Sequence, residues 1–239
     1  MKNFKYLTLM VLCLAIAGCV NCQIRKTVYG DKHVVKKERT AGSFAGVSTS
    51  SAIDVILSQG DNNSITVEAD ENLHEYIITE IKNGTLHVYT DANIRDAEMR
   101  RVHVTMKEID YASSSSAGDV IGITPVKTGS LKLSATSAGD IKLEVYAQTL
   151  GVNGSSAGDI TLSGEVNMLD ANLSSAGDLN AYDLKTKKAD VSVSSSGDAD
   201  VYVTDELRAR ASSAGSINYK GDPKNVDAHS SSAGGIHRR

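Results

Sequence analysis

The sequence predicts an all-β protein: a parallel β-solenoid of about seven coils of ~19 residues, capped by a β-rich N-terminal subdomain. Three observations carry that expectation: a short motif recurs down the second half of the chain, strict two-residue alternation surrounds each copy, and the composition provides an aliphatic interior and almost nothing aromatic. The copies are Ser115-Ser116-Ala117-Gly118-Asp119, Thr136-Ser137-Ala138-Gly139-Asp140, Ser155-Ser156-Ala157-Gly158-Asp159 and Ser174-Ser175-Ala176-Gly177-Asp178, followed by degenerate copies centred on Gly197, Gly215 and Gly234. Successive glycines lie 21, 19, 19, 20, 18 and 19 residues apart. A unit this short cannot bury its own apolar row, so consecutive units must stack.

The period within each copy identifies the element. Ala171, Leu173, Ser175, Gly177, Leu179 and Ala181 occupy every second position of one copy, and Val152, Gly154, Ser156, Gly158, Ile160 and Leu162 of another. Such alternation is extended chain with one buried face. Stacked coils repeat at ~4.8 Å, so seven span roughly 30 Å. Eleven extended residues would reach ~36 Å, too far for one side of so short a coil. The chain is therefore expected to bend at Ser-x-Gly, with Gly supplying conformational freedom. Residues such as Ser163 to Asp170 then return through a looser arc with Val166 and Leu169 inside. A phosphate-cradling loop is a poor alternative, since no helix and no Lys-Ser/Thr follows these glycines.

Upstream, four segments are expected: a leader at 1–18, a polar tether at 19–40, the cap at 41–110 and the repeat domain at 111–239. Lys2 and Lys5 precede the apolar stretch Leu7 to Ala17, which is too short to span a bilayer, and the sequence Ile16-Ala17-Gly18-Cys19 follows. That order resembles a bacterial lipoprotein signal and predicts lipid attachment at Cys19. Cleavage there leaves 221 residues with 23 basic and 29 acidic groups, a net charge of −6. Cys13 leaves with the leader and Cys22 stands alone, free or cross-linked between chains, so neither an intrachain disulfide framework nor a Cys-based metal site is available. Arg25, Lys26, Lys32, Lys36, Lys37 and Arg39 make residues 23–40 basic, which suits a solvated tether or weak attraction to anionic headgroups. An outer-membrane anchor is expected, and because no acidic run follows Cys19 its periplasmic or surface face is left undetermined.

In the cap, Val47, Thr49, Ser51, Ile53, Val55 and Leu57 keep the alternation without the glycine and suit a first turn. Ser64 to Ala69 and Val102 to Met106 read as strands, and Asn72 to Tyr76 as a short helical turn. Ile77 to Ile81 and Leu86 to Tyr89 flank Asn83-Gly84, a type I′ hairpin signal.

These features together resemble the family described as "putative auto-transporter adhesin, head GIN domain". The matching stretches are Phe44 to Val47, Ile53 to Gly60, Val67 to Leu73, Asn83 to Leu86, the serial Ser-x-Gly-Asp turns and Ile217 to Pro223, so the resemblance covers about residues 41–237. The family's turn usually reads Ser-Gly-Ser-Gly or Ser-Gly-Ala-Gly; here Ser replaces the first Gly, with the fold expected to survive. The resemblance implies a right-handed parallel β-solenoid and a role in adhesion, and brings no catalytic residues.

Stacking converts the repeat into columns. Ser116, Ser137, Ser156, Ser175, Ser195, Ser213 and Ser232 are expected to form an inward hydroxyl column at the bend. Asp119, Asp140, Asp159, Asp178 and Asp198 are expected outward, either accepting local N–H bonds or recruiting Ca²⁺. Beside them, Ser/Thr and Ala columns make a flat strip that suits a glycan or another protein. A net negative charge argues against nucleic acid. A polysaccharide-active β-helix enzyme is the alternative. It would need clustered acids in a groove walled by long loops, whereas coil spacing varies only from 18 to 21 residues, Lys142, Lys185 and Arg208 share no column, and the six His are scattered. The sequence therefore points to a non-catalytic envelope lipoprotein, without cofactor or metal centre, that serves as an adhesin or binding scaffold.

Overall fold

A computed structural model describes residues 25–239, so the leader, Cys13, Cys19 and Cys22 lie outside the described residues. Alternating apolar residues give strands almost throughout, with one 3₁₀ turn at Glu71–Leu73. The N-terminal part holds β1 (Thr27–Tyr29), β2 (Val34–Arg39), β3 (Gly46–Thr49), β4 (Asp54–Gln59), β5 (Ser64–Asp70), β6 (Ile77–Lys82), β7 (Thr85–Thr90), β8 (Asn93–Arg95) and β9 (Arg100–Met106). The repeat holds β10 (Tyr111–Ser115), β11 (Val120–Gly122), β12 (Val126–Thr136), β13 (Ile141–Ser155), β14 (Asp159–Ser174), β15 (Asp178–Val193), β16 (Asp198–Ala211), β17 (Ser216–Lys220), β18 (Asn225–Ser230) and β19 (Gly235–Arg238).

The repeat is a parallel β-solenoid of about seven turns. Equivalent residues pile up: Ile141 pairs with Ile160 and Ile160 with Leu179, while Val152 pairs with Ala171 and Ala171 with Val191. The coil that is one residue longer is absorbed by a register shift between Thr161 and Ser163, after which the ladder realigns. Each coil has three faces, marked by breaks in the buried–exposed alternation. In β14 the first face buries Ile160 and Leu162, the short second face Val166, and the third Leu169, Ala171 and Leu173. Ser163 to Asp170 is thus regular strand bent at Gly164 (φ +112°) rather than a loose arc. Apart from Phe44 and Met106, the buried hydrophobic residues are aliphatic.

The corner differs from the sequence reading in two ways. Positive φ belongs to the Ser and Ala, not the Gly: Ser156 has φ 53° and Ala157 57°. The Gly158 N–H donates back to the Ser155 carbonyl at 3.1 Å, which closes a type I′ turn. The Ala157 N–H donates to the Ser175 carbonyl of the next coil at 3.2 Å, so the ladder runs unbroken through the bend. Glycine is needed for space instead. A Cβ on Gly158 would lie 2.5 Å from the Ala135 carbonyl carbon and oxygen, and one on Gly177 2.5 Å from the Gly154 carbon. Ser51 and Ala52 make the same bend, so the first turn carries the corner too, giving eight in all. Its glycine is replaced by Ile53, which has room because β7 pairs with β3 only as far as Val88 and no corner lies beyond it.

The cap ends the stack by changing strand direction. β7 and β9 continue the parallel ladder onto β3 and β4, but β5 runs antiparallel to β9 and β6 antiparallel to β7. Asn83 (φ 51°) and Gly84 (φ 75°) form the expected hairpin turn. The basic stretch read as a solvated tether is folded from residue 27: β1 pairs with β8, and β2 lies antiparallel on β5. Lysines on such an outer strand discourage further pairing, which explains why its composition looks unfolded.

Asp70 fastens this layer. Its carboxylate is fully buried and accepts the N–H groups of Lys32 (3.1 Å), Glu98 (3.1 and 3.2 Å) and Met99 (3.0 Å). Burial alone would raise its pKa, but those three N–H groups outweigh burial and hold it below the ordinary carboxylate value. Nearby, burial and the Lys37 and Arg39 cations keep the His74 imidazole below its ordinary 6.5, against the carbonyls of Val35 and Ala69. In acid, the unfolded chain therefore protonates His74 first, so stability begins to fall below about pH 6.5. The Asp70 contribution follows, lost as pH drops through its depressed folded pKa.

Two measurements check this account. Ala157→Gly relieves a left-handed alanine and should gain about 0.5–1 kcal/mol. Its neighbour Gly158→Ala should cost about 3 kcal/mol through overpacking. Urea unfolding distinguishes them; equal effects would remove the spatial role assigned to the glycine. Asp70→Asn should cost about 3 kcal/mol at neutral pH, with hydrogen exchange accelerated across residues 33–39. That deficit should close in strong acid, where the wild-type carboxylate also loses its charge.

Candidate functional site

The type I′ corner fixes which columns face solvent. Ser116, Ser137, Ser156, Ser175, Ser195, Ser213 and Ser232 are all exposed, not inward as the alternation suggests. Two left-handed residues turn the chain over, so the serine at an inner position swings out while the glycine two residues later returns to the inside. These hydroxyls form a surface stripe with no histidine partner, and Ser114 is instead the serine buried in the interior, its Oγ without a hydrogen-bond partner.

The aspartates do assemble. Asp159 pairs with Asp178 and Asp178 with Asp198, followed by Ser216 and Gly235. Asp54 extends the file at the other end, because Val55 pairs with Val120. The motif Ser51-Ala52-Ile53-Asp54 could have revealed it, had Ile been accepted at the glycine position. Two of the carboxylates accept N–H bonds, though from the following coil rather than their own turn: Asp119 from Asp140 (3.3 Å) and Asp178 from Asp198 (3.0 Å). Partial burial, then repulsion from Asp140 and Asp178, raises the pKa of Asp159. Burial and repulsion likewise raise Asp119, chiefly through Asp54, and Asp198, chiefly through Asp178. The carboxylates stand in single file, and among the described residues no group of three or more His, Cys, Asp or Glu side chains is placed to hold a metal ion. Lys142, Lys185 and Arg208 fall on separate columns, beside Thr161, Glu165 and Asp190 respectively.

Sequence reasoning missed a trough on the third face. It has a volume of about 470 Å³ and crosses five coils beside the Ser-Ala corners. One wall is the column Asn153, Asn172, Ser192, Arg210 and His229, in continuous register. The other is Ser155, Ser174, Ser194, Ser212 and Ser231, and the floor is Gly154, Leu173, Val193 and Ala211. The next column holds wall side chains in place. Asn172 Nδ2 donates to Asp170 at 2.9 Å, and Arg210 Nη2 donates to Asp227 at 2.7 Å while its Nη1 donates to the Ala209 and Asp227 carbonyls. The sequence shows that these positions are polar and outward, but not that a trough lies between the two columns.

Rod, corner motif and antiparallel cap can be set beside known proteins. The family model described as "Putative auto-transporter adhesin, head GIN domain" matches residues 43–223. The chain belongs to this family. Solved structures agree on the fold. A "putative adhesin" from Bacteroides fragilis superposes with TM-score 0.82 at 19% identity, covering 89% of this chain and all of that one. A "putative lipid binding protein" from Parabacteroides distasonis gives 0.72 at 23% identity, over 90% of this chain and 100% of its own. A "putative adhesin" from Parabacteroides merdae gives 0.69 at 21%, over 90% and 99%. Comparison with curated proteins returns no match.

The aspartate file makes a measurable demand on this head GIN rod. Neighbouring carboxylates one coil apart repel by roughly 1 kcal/mol at water-like dielectric, less in salt. The folded carboxyl of Asp159 takes up its proton before the unfolded one does, so the penalty is present at neutral pH and disappears as pH falls towards the ordinary carboxylate range. Asp159→Asn should therefore raise Tm by about 2–4 °C at pH 7 in low salt. The gain should shrink in molar salt and vanish in acid. A lower Tm at pH 7 would mean the column is net stabilising.

Proposed function

We propose that this chain is a non-catalytic, lipid-anchored adhesin of the bacterial cell envelope, held at the outer membrane through Cys19 and presenting the ladders of its rod to a glycan or a protein. The observation that carries this reading is the stacking of the coils, which lines exposed positions up in columns along the axis and repeats the corner Ser and Asp side chains from coil to coil. Rigid, pre-ordered surfaces bind without the entropic cost of arranging themselves. Membership of an adhesin family supports a cell-envelope role. The chemistry of the exposed columns supports binding over catalysis: the corner serines lack a base, the aspartates stand in file, and the basic groups are dispersed over three columns.

The anchor fits the folded architecture. β1 begins at Thr27, close in sequence to Cys19, which supports a rod held with its cap end towards the bilayer. The repeat then extends away from the membrane, where its faces are free for partners.

Expression of the full chain in a Gram-negative host with labelled palmitate tests the anchor. The wild-type protein should incorporate label and partition into detergent, and Cys19→Ala should do neither while keeping its circular dichroism spectrum. A wild-type protein that stays unlabelled and aqueous would overturn the anchoring. Binding of the detergent-purified protein to arrays of polysaccharides and extracellular-matrix proteins, with no depolymerisation, tests the adhesin role.

A further inference from the structure

We infer that the trough on the third face is the ligand site, and that it takes a linear glycan lying along the rod axis, one stretch of chain per coil. This rests on the adhesin reading above and narrows it to one surface and one ligand class. Length is the first argument. The walls repeat across five coils, from Asn153 to His229, which corresponds to roughly 19 Å of continuous channel. A compact small molecule would fill only part of it, whereas a polymer running parallel to the axis meets an equivalent wall position at every coil.

The chemistry of the lining gives the ligand class. Amides, hydroxyls, one guanidinium and one imidazole line it, and no carboxylate does, in a chain whose acidic groups outnumber its basic ones. Such walls offer both donors and acceptors, which suits a chain of hydroxyl groups. They repel neither a neutral polymer nor a uronic acid, and Arg210 favours the latter.

A peptide is the poorer fit for two reasons. Addition of a strand needs a free sheet edge, but this face lies within the sheet and its main chain is consumed by the ladder: the N–H groups of Ser194, Ser212 and Ser231 donate to the carbonyls of Leu173, Val193 and Ala211. Protein interfaces also centre on aromatic anchors in desolvated pockets, and the trough has none.

Order of the walls is the third argument. Asp170 holds Asn172, and Asp227 with two carbonyls holds Arg210, so these groups are positioned before any ligand arrives. Asn172 keeps its Oδ1 and second N–H for a ligand. Binding sites work best when the contacting side chains are fixed by neighbours in this way.

The test uses the full-length protein in detergent against a chain-length series of neutral and uronic-acid oligosaccharides, followed by calorimetry. Affinity should rise with chain length and level off once the oligosaccharide spans the trough. Asn153→Leu/Asn172→Leu, which fills the channel from two exposed positions, should weaken binding at least tenfold with Tm unchanged. Thr161→Leu, exposed on the first face, should bind like wild type and serves as the control for a surface leucine. Arg210→Gln should weaken uronic-acid oligosaccharides more than neutral ones. Glycan binding untouched by the trough variants would overturn the site and leave the adhesin reading standing. Binding to matrix proteins with no glycan binding would overturn the ligand class. Failure of the wild-type protein on every glycan and protein array would sink the adhesin reading itself.

Discussion

The structure depends on how closely one corner passes over the next. At Gly139, Gly158, Gly177 and Gly234 a side-chain carbon would sit 2.5 to 2.6 Å from backbone atoms of the preceding corner, so the coils approach until only hydrogen fits between them. This contact lets the corner N–H groups of Ala138, Ala157 and Ala176 reach the next coil's carbonyl at 3.1 to 3.2 Å. Without it the bends would splay and each coil would expose unpaired backbone at this corner, at a cost comparable to lost hydrogen bonds in every coil. The neighbouring Ser and Ala accept left-handed backbone, unfavourable by roughly 1–2 kcal/mol per residue, because the turn they form is the one that keeps the corners in register. Strain at two residues is exchanged for a ladder that continues through the corner.

A stack built this way has no natural end, and the cap supplies one by reversing the chain. Parallel strands would leave a further edge open, whereas β5 and β6 run antiparallel and cover it, and β2 adds a charged outer strand. The reversal needs a fastener that does not come from the repeat. Asp70 provides it by accepting backbone N–H groups from both sides, Lys32 before it and Glu98 and Met99 after it. Gly30 is tied to the same point: a side chain there would fall 2.0 Å from the Asp70 carboxylate oxygen. Falling pH therefore acts in opposite senses on the two parts of the molecule. Acid relieves the aspartate file of the rod and loosens the cap.

Much of this was legible in the sequence because a solenoid states its contacts locally. The spacing of the glycines gave the coil length, alternation gave the buried columns, and Asn83-Gly84 gave the hairpin. The misreadings share a physical cause. A two-residue type I′ turn preserves parity, so Leu173, Ser175 and Gly177 look like one face although Ser175 points to solvent. No pattern of polarity records that inversion. The role of glycine was hidden for a similar reason, since at Gly139, Gly158, Gly177 and Gly234 the constraint comes from a neighbour 22 to 25 residues away in the preceding coil rather than from its own φ. The folded state of residues 27–39 depends on Asp70 and β5, far along the chain, and a Lys-rich outer strand has the composition of a linker. As for the trough, its columns could be drawn from sequence, but not the space between them.

The same corner decides what kind of chemistry the surface can support. Catalysis asks for different groups converging on one point, held by elements that arrive from several directions. Stacked coils do the opposite: each position recurs along the axis, so side chains line up in columns, and contacts across columns join near neighbours such as Asp170 with Asn172 or Asp227 with Arg210. What repetition provides is a surface with the same period as its scaffold, and weak contacts that recur at each coil add up when the partner is itself a polymer. A ladder of stacked columns therefore suits a long, repetitive ligand better than a compact one, and under the glycan reading proposed above the trough from Asn153 to His229 would receive it.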